Sequence, residues 1–232
     1  MPQYDVIIIG AGPSGAIASK TCAEKGISTL LLEKKRIPRF TSFQKQLMPA
    51  LIFTMRKKHV AGILPSMKNP RTTFMNFLKK SGFSTDVVTH AHLIPSGGYE
   101  REVCSDRIIL VGDAAGFVDP FYGEGIKYAF ISGKLAAERV AESYENDDFS
   151  KSALDSYKTL CRTMFGENLK YSLRLTRLMN KYPNIFFRLI SSDKMVIDKW
   201  FEIVAGRMEY KEYIRWLIPR VPYFMLKTLL PF

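Results

Sequence analysis

YDVIIIGAGPSG, residues 4–15, is the stretch that decides the fold. Its first half, Tyr4–Ile9, is a short apolar and β-branched run that predicts a buried parallel strand. A GxGxxG pattern follows at once, and Ala16–Lys25 then predicts a helix. Ser28–Glu33 predicts a second strand. Strand, glycine turn, helix and strand together form one βαβ unit.

The three glycines and the acid after them are typical of a dinucleotide-binding site. Gly10 allows the tight turn out of the strand, Gly12 lets the backbone approach a pyrophosphate, and Gly15 lets the helix lie close to the strand. The helix start offers N–H groups and a partial positive charge to the phosphates. Glu33, at the end of the second strand, can accept hydrogen bonds from ribose hydroxyls, which disfavours NADP. The pattern leaves FAD and NAD open, and the alternative is an ordinary glycine-rich turn.

A second motif, DRIILVGDAAGFVDPFYGEGI, spans residues 106–126. Asp106–Val111 predicts another buried strand, which delivers Asp113 at its carboxyl end to bond a ribityl hydroxyl. Gly125 opens a helix predicted to run to Tyr144, and its start would stabilise negative charge on a reduced flavin ring. Glu124 is either a proton source near that ring or a solvent-facing loop acid.

These residues carry a family resemblance. VIIIGAGPSGAIA at 6–18, together with the second motif, resembles the FAD-dependent aromatic-hydroxylase superfamily. The longer wording DRIILVGDAAGFVDPFYGEGIKYAFISGKLAAE at 106–138, and HLIPSGG at 92–98, resemble its geranylgeranyl reductase branch. That branch includes archaeal digeranylgeranylglycerophospholipid reductases, which saturate isoprenoid chains of membrane lipids. The match covers 1–40 and 90–142, which is under half of the chain.

The resemblance implies FAD as the cofactor, an external electron donor, and an isoprenoid lipid as the substrate. Hydride passes from the flavin to an alkene carbon, so the chemistry belongs to the cofactor and no catalytic side chain is assigned. The positions that match the family's FAD-binding motifs are Gly10, Gly12, Ser14, Gly15, Glu33, Asp113, Gly125 and Ile126.

The chain departs from the family between Glu33 and Asp113, where relatives carry far more residues. The family's cysteine–glycine segment and its central Asp-Gly are absent from 34–112, which indicates an internal deletion. A shortened wall leaves an apolar substrate little surface to bury. The alternative function is therefore a non-catalytic FAD-binding remnant or a lipid-surface binding protein. An aromatic-ring hydroxylase is a third reading, disfavoured because the second half lacks that branch's wording.

The expected fold is α/β, with a Rossmann-type parallel sheet, helices on both of its faces, a truncated insertion and a helical C-terminal region. The domain prediction assigns 1–40 and 90–145 to FAD binding, 41–89 to a remnant of the substrate domain, and 150–232 to the helical region. Within 34–90, Thr41–Lys58 and Arg71–Lys80 fit helices and Asp86–Ile94 fits a strand.

The net charge of +12 and pI of about 9.6 favour anionic partners. Residues 151–232 hold 15 Lys and Arg against 7 Asp and Glu. The basic helix face over 170–181 and the aromatic tail over 213–232 predict peripheral contact with lipid headgroups. A solvated helix face and a core-capping helix pair are the respective alternatives.

No nucleic-acid-binding fold or transmembrane run is recognisable. The three cysteines and three histidines lack metal-ligand spacing, which disfavours a zinc site. The expected location is cytoplasmic, because no signal peptide precedes the first strand and the scattered cysteines suit a reducing interior.

Overall fold

A computed structural model describes residues 3–34, 51–55, 58–62, 69–89 and 95–229 of the 232. The N-terminal βαβ unit is present as predicted. Strand β1 (Val6–Ile9) pairs in parallel with β2 (Thr29–Leu32), in register from Val6–Thr29 to Ile9–Leu32. Helix α1 (Pro13–Glu24) connects them. The α/β class is confirmed.

Helix α1 packs against a 20-residue helix, Ile126–Glu145, which is α3 in chain order and agrees with the predicted helix over 125–144. Small residues make this contact close. A Cβ added at Gly133 of α3 would lie 2.4 Å from the Ser14 carbonyl oxygen. Ala18, Cys22, Ala137 and Ala141 continue the contact in one apolar cluster, packed by Val6 and Ile8 of β1. The other side chains of that strand, Ile7 and Ile9, are 60% and 85% exposed, so the prediction that this strand is buried is wrong for one of its faces.

The segment between the two motifs contains a hairpin and a helix. Strands β3 (Leu51–Met55) and β4 (Lys58–Gly62) pair antiparallel, so the helix predicted over Thr41–Lys58 is wrong for 51–55, and 41–50 lie outside the described residues. The β-branched and aromatic residues of β3, Ile52, Phe53 and Thr54, favour this outcome. Helix α2 (Pro70–Lys80) agrees with the predicted helix over 71–80. Of the strand expected over 86–94, residues 86–89 form none and the rest are outside the described part.

The buried strand predicted over Asp106–Val111 is also wrong. Its residues form a small antiparallel hairpin, β5 (Cys104–Ser105) with β6 (Ile108–Ile109), which is not paired with β1 or β2 in the described part of the chain. Arg107 takes a left-handed conformation in the turn, and its N–H donates to the Phe149 carbonyl. The residues on either side of this turn pair with each other over only two positions, and Ile108 is 56% exposed.

The chain divides into two compact units, Met1–Met164 and Phe165–Phe232. The predicted domain limits, drawn from sequence pattern, remain a prediction. The first unit ends with α4 (Lys151–Leu154) and α5 (Ser156–Cys161), followed by a π-helical turn over Arg162–Gly166. The second unit contains α6 (Glu167–Lys181), α7 (Pro183–Ser192), α8 (Lys194–Val204), α9 (Tyr210–Leu217) and α10 (Val221–Leu229). Within the described residues, none of the helices is both long and apolar enough to cross a bilayer.

Candidate functional site

The glycine-rich turn after β1 has the geometry that its sequence predicts. Gly10 has φ +98°, a left-handed conformation that glycine adopts without strain, and its N–H donates to the Leu32 carbonyl at 2.7 Å. A Cβ added at Gly15 would lie 1.8 Å from the Gly10 carbonyl oxygen, so any larger residue there would push α1 off the strand. Gly12 is the N-cap of α1, and it has no side chain that could cap the helix. The helix start is therefore open to a ligand's phosphate oxygens.

The predicted ribose-binding acid lies at this same turn. The Glu33 carboxylate Oε2 accepts a hydrogen bond from the Ala11 backbone N–H at 2.7 Å, across 22 residues of chain. This bond brings the end of β2 to the glycine-rich loop. The Glu33 residue is half-buried.

The second motif is a tight turn and a loop that lead into α3. A 3₁₀ turn covers Gly112–Ala115, and Gly112 has φ +54°. The Gly112 N–H donates to the buried Ser132 hydroxyl at 3.0 Å. Asp113 follows in the turn and is exposed, and its Oδ1 would lie 3.2 Å from a Cβ added at Gly125. The acid that the sequence assigns to a ribityl hydroxyl is thus next to the N-cap of α3.

The loop over 119–125 is held by its own hydrogen bonds. The buried Asp119 accepts at Oδ1 from the Phe121 N–H at 2.7 Å and from the Tyr122 N–H at 3.3 Å. Its backbone N–H donates to the Glu124 carbonyl at 2.7 Å, and its carbonyl accepts from the Gly123 N–H at 2.9 Å. These bonds fix the direction in which α3 begins.

The structure brings the two motifs together at Ser14. A Cβ added at Gly112 would lie 2.8 Å from the Ser14 hydroxyl, so this glycine lets the start of α1 meet the turn that precedes α3. Ile126 belongs to the second motif as the first residue of α3, and it is 43% exposed. The residues present fit an FAD molecule, because the uncapped start of α1 and the turn that precedes α3 meet at Ser14, with Glu33 beside one and Asp113 beside the other. Their role in binding remains a prediction.

Burial raises the pKa of two side chains in this loop. It raises the pKa of the Glu124 carboxyl above its ordinary value, although hydrogen bonding to the Lys127 N–H opposes that shift. Burial also raises the pKa of Tyr122, and the nearby Asp119 and Glu124 carboxylates add to this effect. Tyr122 therefore stays a neutral phenol across the physiological range.

Sequence reasoning missed the residues that support the second motif. Ser132 is fully buried in α3 and receives the Gly112 N–H, and Tyr157 of α5 donates its hydroxyl to the Leu110 carbonyl at 2.8 Å. A serine at helical spacing among the alanines of α3 is a weak signal for such a role. For Tyr157, 47 positions from its partner, the sequence gives none.

Comparison with known proteins identifies the first motif. The model of the family described as FAD binding domain matches residues 3–45. The matched stretch includes the glycine-rich turn and Glu33, and the predicted cofactor, FAD, is confirmed.

Relatives with established names match parts of the chain. A digeranylgeranylglycerophospholipid reductase from Methanopyrus kandleri is 35% identical over 91 residues, 39% of this chain and 23% of that protein. A 1H-pyrrole-2-carbonyl-[peptidyl-carrier protein] chlorinase from Pseudomonas fluorescens is 42% identical over 121 residues, 46% of this chain and 27% of that protein. A geranylgeranyl bacteriochlorophyll reductase-like protein from Thermoplasma acidophilum superposes with a TM-score of 0.47 at 13% identity, covering 75% of this chain and 87% of that one.

The predicted resemblance to geranylgeranyl reductases is confirmed at the level of these relatives. The matched stretch is about a quarter of the length of the named enzymes. The two enzymes are named for different substrates, so the substrate of this chain is a separate question.

Proposed function

We propose that this chain is an FAD-dependent oxidoreductase that reduces C=C bonds of geranylgeranyl chains in membrane-lipid biosynthesis. The observation that carries the proposal is the contact between Ser14 and Gly112, which places the two motif turns side by side. The reductase branch is favoured over other flavoproteins by the wording of residues 106–138 and by the named reductase relative.

The chain's own residues would hold the cofactor at its two ends. At the adenosine end, α1 directs its first N–H groups at the pyrophosphate while Glu33 accepts from ribose hydroxyls. At the ring end, Asp113 accepts from the ribityl chain and the start of α3 stabilises negative charge. FAD held there supplies the hydride chemistry, and an external donor must supply its electrons.

A second candidate is a non-catalytic FAD-binding remnant. It is favoured by the short 34–112 segment and by the open outer face of β1, where Ile9 is 85% exposed. A lipid substrate that binds at such a face would stay largely in water, whereas ordinary ligand cavities enclose most of their ligand. This candidate keeps the FAD and loses the turnover.

Two measurements separate the candidates. Purified protein reconstituted with FAD is expected to be yellow, and Asp113→Ala is expected to lose most of the colour. Protein reduced by dithionite without oxygen is then mixed with a lipid that carries geranylgeranyl chains. Reoxidation of the flavin with a mass gain of two hydrogens per reduced bond supports the reductase. Yellow protein that is not reoxidised supports the remnant, and colourless wild type refutes both.

We also propose that the second unit contacts an anionic membrane surface. Ile218 and Tyr223, next to Arg220, are 63% and 60% exposed, and an apolar side chain beside a cation suits the headgroup region. Part of the predicted interfacial set is instead core, because Leu175 and Phe224 are buried. The surface is therefore narrower than the sequence pattern predicts.

A further inference from the structure

Glu124 stands out because its carboxylate caps the helix that the flavin ring would use. Its Oε1 accepts a hydrogen bond from the Lys127 N–H at 2.8 Å, and Lys127 is the second residue of α3. A helix of 20 residues carries a partial positive charge at this end. The acid thus lies at the same helix start that is expected to stabilise a reduced flavin.

The backbone of Glu124 is held next to the start of α3. The Glu124 carbonyl accepts from the Asp119 N–H at 2.7 Å, and the following residue, Gly125, is the N-cap of α3. The side chain is only partly exposed. The carboxylate is thus held against the first turn of α3.

We propose that Glu124 lowers the reduction potential of the bound FAD by holding a negative charge at the start of α3. The inference rests on the proposed FAD site. Reduction adds two electrons to the flavin, and uptake of one proton leaves it with one negative charge. A carboxylate beside that charge offsets the positive helix end, so the reduced form is less stable and is a stronger hydride donor.

The charge of Glu124 depends on its surroundings. Burial raises its pKa, Lys127 opposes the shift, and the Asp113 carboxylate adds to it. Tyr122, which also faces the acid, stays neutral, and Asp119 lies next to that tyrosine. As the pH falls through the raised pKa of Glu124, the carboxyl group becomes neutral and its effect on the potential is lost.

Glu124→Gln tests the proposal, because the amide oxygen can still cap the Lys127 N–H while the charge is gone. The FAD-loaded proteins are reduced with dithionite against a reference dye. Well above the pKa of Glu124, the variant is expected to favour reduced flavin at least tenfold over wild type, which is about 30 mV for a two-electron couple. The two proteins are expected to converge as the pH falls. Glu124→Asp, which keeps the charge, should stay close to wild type.

Glu138→Gln is the matched control, since Glu138 lies on the same helix in an exposed pair with Lys134. Its potential is expected to equal that of wild type. Equal potentials for Glu124→Gln and wild type, or a shift that Glu138→Gln reproduces, would overturn the proposal while leaving FAD binding intact. Failure of wild type to bind FAD would instead refute the proposed function, and this inference with it. If Glu124→Gln does not fold, a potential for Glu124→Asp that differs from wild type tenfold or more toward reduction also overturns it.

Discussion

Gly133→Ala tests the closest contact in the first unit, where helix propensity and packing predict opposite signs. Alanine stabilises a helix interior by about 1 kcal/mol relative to glycine. The added Cβ, however, would lie 2.4 Å from the Ser14 carbonyl oxygen and 2.6 Å from the Ile17 Cγ2 atom. Such atoms normally approach to about 3.5 Å, so α3 must move away from α1 by about 1 Å.

The size of the effect follows from this displacement. Overpacking of this kind costs about 1–3 kcal/mol, and the closest atom belongs to the backbone of α1, which cannot turn aside as a side chain can. We therefore expect Gly133→Ala to lower the free energy of unfolding, measured by urea titration, by up to about 2 kcal/mol after the propensity gain. Because Ser14 lies between the two motif turns, FAD affinity should fall at least tenfold, or about 1.4 kcal/mol.

Lys134→Ala is the matched control, since its exposed side chain lies one residue further along α3. It should change neither the stability nor the FAD affinity by more than a few tenths of a kcal/mol. A Gly133→Ala protein that is more stable than wild type by about 1 kcal/mol and binds FAD equally well would refute the packing of α1 on α3.

Glu33→Ala should weaken FAD binding at least tenfold by flavin fluorescence, because bonds to a charged acceptor are worth about 1.5–3 kcal/mol; equal loss in Glu24→Ala, a change at an exposed acid of α1, would contradict this. Tyr157→Phe removes the hydroxyl bonded to the Leu110 carbonyl and should lower the free energy of unfolding by about 1 kcal/mol in urea, so an unchanged midpoint would count against that bond. Wild type should co-sediment with phosphatidylglycerol vesicles and not with phosphatidylcholine vesicles, and Tyr223→Ser should reduce the binding to phosphatidylglycerol. Binding that is unaffected by the change would place the membrane contact elsewhere.

The βαβ unit could be predicted from the sequence because the residues that specify it are close together along the chain. The turn needs glycine at 10 because of its positive φ, and the helix needs a small residue at 15 because the Gly10 carbonyl oxygen is so close. Short apolar runs then predict β1 and β2, and helical patterns predict α1 and α3, from the residues alone. The family resemblance added the identity of the cofactor, which spacing alone leaves open between FAD and NAD.

Local cues failed where burial decides the conformation. DRIILV has the composition of a buried strand, yet a strand needs a neighbour on at least one edge, and the turn at Arg107 commits this segment to a short hairpin instead. Phe224 lies in a segment whose composition is typical of a membrane interface, but its side chain is buried. Amino-acid composition does not distinguish the two cases, because an apolar side chain leaves water equally well in a core and in a headgroup layer.

The sequence by itself determined the βαβ unit around the glycine-rich turn, and it predicts that residues 5–33 and 106–126 hold the two ends of one FAD, since glycine, acid and hydrophobic spacing are properties of the chain. Only the tertiary structure decided that Ser14 meets Gly112 and that Ser132 and Tyr157 support the second turn. Those contacts join residues 20 to about 100 positions apart, and their geometry depends on how closely two helices of small residues can approach.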